Sequence, residues 1–176
     1  MNQAPGYVLV ARPFNAFSMG FGGERFFRVY REGEYLLFVT YPGRSKWHLV
    51  CMRFGLLGAL LWMFIRKSFE RKRDALLAEL DRTHPDARMQ RDKRNFAVHR
   101  TQLLSQALEP TGFFKRGVSA AEWHFNTPDK ADQKMQLPTP EDVSTLLQGM
   151  PQFTATPLNV KVVWNDAKKR YLAAPR

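Results

Sequence analysis

From Phe54 to about Arg82 the apolar positions recur at helical spacing. Gly58, Leu61, Ile65, Phe69, Leu76 and Leu80 follow one another in steps of three, four or seven residues, which predicts one long helix. No proline interrupts it before Pro85. At ~1.5 Å per residue its length is about 43 Å. Its first half is apolar all round, and its second half, "RKRDALLAELDR", sets a Leu/Ala stripe against charge.

Strand periodicity frames this helix. Tyr7–Arg12 "YVLVAR", Arg25–Arg31 "RFFRVYR" and Tyr35–Tyr41 "YLLFVTY" precede it. The last two are joined by Glu32-Gly33-Glu34, the short glycine-containing link of a hairpin. Between Arg12 and Glu24, "PFNAFSMGFGGE" reads as a loop punctuated by glycine. After the helix, residues 95–99, 103–109, 120–126 and 133–137 carry strand character, with "TPDKAD" as a turn. That makes seven candidate strands. Thr139-Pro140-Glu141-Asp142 then supplies an N-cap, a proline at the first helical position and acids in the first turn, so a helix is predicted over about 140–149, stopping at Gly149. In the tail, "NVKVVW" and "KRYLAA" predict one further hairpin.

Three stretches resemble an uncharacterised bacterial group of pleckstrin-homology-like domains with a Gly-containing helical insertion. They are "RFFRVYREGEYLLFVTYPG", "FGLLGALLWMF" leading to "LLAELD", and "RDKRNFAVHRTQLLSQALEP". The resemblance spans about residues 24–150. It implies an α+β fold: a bent sheet or barrel of about seven strands, with a long inserted helix (54–82) and a capping helix (140–149). On that plan residues 1–150 form the domain and 151–176 an extension. The resemblance also implies a binding module rather than an enzyme. Many lipid-binding members carry basic residues in the first loop. Here Pro13–Glu24 holds no Lys or Arg, so headgroup binding at that place is not carried over.

Composition limits the function classes. Apolar content of 44% and aromatic content of 13% exclude a disordered chain. The net charge is +11 and is uneven: Arg44–Arg116 holds 16 basic and 7 acidic residues, or +9. Such a field favours anionic partners. The single cysteine, Cys51, allows no internal disulfide and leads to the expectation of a cytoplasmic protein, with membrane association left open. His48, His84, His99 and His124 lack metal-ligand spacing, and "GFGG" precedes a strand rather than a helix. No catalytic residue, metal site or cofactor is expected. Glu70 and Asp74 are expected to pair with Lys67 and Arg71.

The apolar half of the helix therefore carries the functional expectation. Burying its large side chains offers on the order of 10–20 kcal/mol of gross driving force. Twelve uncharged residues, Phe54–Ile65, make ~18 Å, against ~30 Å for a hydrocarbon core. A full span would also divide the strands between two sides of a bilayer. The leading expectation is a protein interface or self-association, with Phe54, Leu57, Gly58, Leu61, Trp62, Ile65 and Phe69 as contacts. An anionic membrane surface is the alternative, with Arg66, Lys67, Arg71, Lys72 and Arg73 as its basic patch. A nucleic-acid accessory role is a third, resting on the basic–aromatic alternation of "RFFRVYR".

Overall fold

A computed structural model describes residues 12–20, 23–42, 55–112 and 119–175. Tyr7–Ala11 of the expected strand and the thiol of Cys51 lie outside the described residues, and Arg12 is in no strand.

The elements follow in the order β1 (Phe14–Gly20), β2 (Gly23–Glu32), β3 (Tyr35–Tyr41), α1 (Gly55–Arg82), α2 (Pro85–Gln90) and β4 (Phe96–His99). A 3-10 turn (Arg100–Gln102) leads to β5 (Ser105–Glu109), β6 (Ala121–Thr127), β7 (Lys130–Leu137) and α3 (Pro140–Phe153). The chain finishes with β8 (Leu158–Val160), β9 (Val162–Asn165) and β10 (Arg170–Ala173). Eight strands share one sheet in the order β4-β3-β2-β1-β7-β6-β5-β8, and β9 and β10 form a separate two-stranded sheet. All neighbours in the large sheet are antiparallel except β5 and β8, which run parallel.

This architecture corrects the pleckstrin-homology-like expectation of a seven-strand barrel with a long inserted helix. The fold is α+β, but its strands form one large mixed sheet of eight. Its edges, β4 and β8, are not neighbours. β8 occupies the free edge of β5, with Gln106 opposite Leu158 and Leu108 opposite Val160, where a barrel would need another strand to close.

Two clusters hold the molecule together. Alternation in β6 sends Ala121, Trp123 and Phe125 inward and Glu122, His124 and Asn126 outward. The inner faces of the two halves of the sheet meet: Phe38 of β3 stacks on Phe125 and Trp123 of β6 at ring separations of 5.8 and 6.2 Å. α3 adds Val143, Leu146, Met150 and Phe153 to that core. β3 is apolar on both faces because both are covered. Leu36 and Phe38 enter the main core, while Leu37 and Val39 join Tyr30 and Leu80 in a second cluster under α1.

Local readings are corrected in three places. Residues 14–20, read as loop, form β1, whose register with β2 runs from Phe14↔Val29 to Gly20↔Gly23. Phe14 and Ala16 face the main core, and Phe17 is buried on the opposite face, stacked on Phe26 at 5.2 Å. Asn15, Ser18 and Gly20 hide that pattern from a reading based on turn residues. β7 starts at Lys130, inside the expected turn, leaving a tight hairpin in which Thr127 pairs with Lys130. α3 runs past Gly149 to Phe153 with Pro151 inside it. Burial of Met150 and Phe153 outweighs the helix-breaking tendency of the glycine and proline, and Arg31 Nη1 donates to the carbonyl of Gly149.

Candidate functional site

The two halves of α1 have different fates. The C-terminal half docks on the outer face of β2 and β3 through Leu76, Leu77 and Leu80, against Tyr30, Leu37, Val39 and Tyr41. A polar clamp fixes its end. Arg28 donates to Asp81 from Nε at 3.2 Å and from Nη2 at 2.9 Å, and the Tyr30 hydroxyl donates to Asp81 Oδ1 at 2.9 Å. Burial lowers the affinity of Arg28 for its proton, but the hydrogen bonds and charge of Asp81 outweigh this and hold it above its ordinary value. Burial, reinforced by Asp81, likewise raises the Tyr30 phenol. Under the same helix, burial pushes Tyr41 up to about 12.

Past the helix end, Arg88 Nε donates to the carbonyl of Leu80 at 2.7 Å, which also accepts from the backbone of Thr83 at 3.2 Å. Its Nη1 pairs with the buried carboxylate of Glu32, and its guanidinium lies 4.1 Å from the centroid of the Tyr30 ring. Asn95 donates to the carbonyls of Arg88 and Met89 and accepts from the backbone and hydroxyl of Thr40. β2, β3, α1, α2 and the start of β4 are thereby joined in one network.

Among the described residues the N-terminal half of α1 has no such cover. Leu56, Leu57 and Phe64 are 79%, 78% and 80% exposed, whereas Leu80 is 1% exposed. Leu60, Leu61, Met63 and Phe69 are also exposed, and Ile65 is half-buried. Gly58 is buried. Phe54 lies outside the described residues, as does the side chain of Trp62. Of the expected contact set, Leu57, Leu61, Ile65 and Phe69 thus lie along one projecting segment.

The basic residues follow immediately. Arg66, Lys67, Arg71, Lys72 and Arg73 are all exposed. The expected pairings are corrected: Glu70 pairs with Arg66 at 2.7 Å, one full helical turn back, and Asp74 pairs with its neighbour Arg73 at 3.2 Å. The i to i+4 spacing suits the long guanidinium of Arg66 better than the i to i+3 reach from Lys67. Lys67, Arg71 and Lys72 carry no ion pair among the described residues.

The alternation in "RFFRVYR" presents no open row of rings. Phe27, Val29, Tyr30 and Arg31 are buried, and Arg28 belongs to the clamp on Asp81. A charged cluster that sequence spacing does not reveal lies on the outer face of β6. His124 stands 3.4 Å from Asp132, 3.5 Å from Glu122 and 3.9 Å from Glu109. A hydrogen bond from Lys161 holds the Glu109 carboxyl below the usual carboxylate range. His124 and Asp132 line an open groove of about 410 Å³ that includes Ser105, Asn126 and Thr156. Among the described residues no group of three or more His, Cys, Asp or Glu is arranged to hold a metal ion. No described helix is long and apolar enough to cross a membrane.

No protein-family model, curated protein or solved structure matches the chain.

Proposed function

We propose that this chain is a non-catalytic interaction module whose binding element is the N-terminal half of α1. One observation carries the reading: a single helix is anchored at one end and left with bare Leu and Phe side chains at the other. A helix that is apolar all round needs cover on all sides, and among the described residues the domain's second core cluster covers α1 from Leu76 onward. Exposed apolar patches of this kind mark interaction surfaces.

The test is the association state of the full chain in water. Without its partner, wild type should sediment heavier than a monomer. Leu57→Glu with Leu61→Glu should restore a monomer, and its melting temperature should match wild type because both positions face solvent. A wild type that neither self-associates nor binds a protein or a membrane would count against the reading, as would loss of the fold in the double variant.

A further inference from the structure

The charge just behind the apolar segment identifies the surface that α1 meets. The inference rests on the interaction-module reading and deepens it. Arg66, Lys67, Arg71, Lys72 and Arg73 follow directly on Ile65. At about 100° per residue, Arg71 and Lys72 lie roughly 40° and 140° round the helix from Lys67, and Arg73 and Arg66 lie roughly 240° and 260° round. The cations therefore form a collar, not a stripe. Glu70 and Asp74 engage one cation each, and three cations stay uncommitted among the described residues.

We infer that α1 is an anchor for anionic membrane surfaces: its apolar half enters the headgroup–acyl boundary of one leaflet and the collar meets lipid phosphates and carboxylates. Acyl chains accept apolar side chains in every direction, and an anionic lipid surface meets a collar on all its sides. A second copy of the chain fits less well. Apolar segments packed in parallel would set collar against collar, and packed antiparallel they would bring neither collar an anion, since Gly55–Ile65 holds no acid. Residues Gly55–Ile65 make about 16 Å of helix, half of what a crossing requires, which suits entry into one leaflet. A similar length separates Ile65 from the docked Leu76, so the folded body stands clear of the lipid.

Flotation of the full chain with phosphatidylcholine vesicles, with and without phosphatidylserine, tests this. Wild type should float with the phosphatidylserine vesicles and leave them as salt rises. Lys67→Glu with Lys72→Glu should weaken binding by more than about tenfold, and Leu57→Glu with Leu61→Glu should abolish it, both with unchanged melting temperatures. Equal binding to neutral vesicles, or no effect of the lysine reversals, overturns the inference. A wild type that does not float but self-associates through Leu57 and Leu61 overturns the lipid assignment and leaves the interaction module standing. A wild type that neither floats nor associates defeats both.

Discussion

Asp142 shows how much one side chain can organise. At the third position of α3 it accepts from the backbone of Asn15 at 2.7 Å and from the backbone and hydroxyl of Thr139 at 3.2 and 2.6 Å. It thereby completes a capping box and ties the last helix to β1. Burial is the largest influence on its carboxyl and raises it above its ordinary value, although the hydrogen bonds pull the other way. In the folded chain it therefore takes up its proton at higher pH than in the unfolded chain. That contribution to stability is complete below the unfolded value and is lost as pH rises through the folded one. Compared with Asp142→Asn, wild type should gain stability as pH falls from neutral into the carboxylate range, measured by chemical denaturation at each pH. A relative loss would refute the sign. Asp142→Ala, which strands the Asn15 N–H, should cost about 1–3 kcal/mol at neutral pH and more as pH falls.

At the scale of elements, the docking of α1 and α2 turns on the pair between Arg88 and Glu32, whose side chains are 6% and 2% exposed. Arg88→Ala should cost about 3–5 kcal/mol, because it leaves a buried carboxylate without its cation. Glu32→Gln combined with Arg88→Met should recover most of that, since no uncompensated charge remains. Urea unfolding of the two variants decides the matter, and an Arg88→Ala loss under about 1 kcal/mol would show that the pair is incidental. The existence of α1 was legible because its apolar spacing is strong and unbroken. Which half would be covered was not. Asp81 finds Arg28 and Tyr30 at separations of 53 and 51 residues, and no local pattern reports such a contact. β1 was hidden for a related reason. Phe17 is covered from the outer face of the sheet, so Asn15-Ala16-Phe17-Ser18 shows neither clean alternation nor a continuous apolar run.

For the whole molecule, the question is whether residues after Phe153 belong to the fold or hang from it. The family resemblance leaves 151–176 as an extension, and the short apolar runs there do not say which edge they join. In the structure β8 lies along β5, the Lys161 backbone donates to the carbonyl of Leu108 at 2.8 Å, and Val162 is buried in the main core. Thr156 donates its hydroxyl to the carbonyl of Leu103 at 2.6 Å and accepts at its own carbonyl from Gln106 at 2.8 Å. Shortening the chain after Phe153 would uncover Val162's place in the core, strip these hydrogen bonds and leave β5 as a bare edge. The combined loss should reach about 3 kcal/mol or more, lowering the melting temperature by roughly 6–12 °C for a domain of this size. The exposed edge of β5 should also make the shortened chain prone to edge-to-edge pairing. An independent appendage predicts the opposite, an unchanged melting temperature. Introducing Leu57→Glu and Leu61→Glu into both chain lengths separates the two sources of association. Whatever self-association survives in the shortened chain but not in the full one must come from the sheet edge rather than from α1.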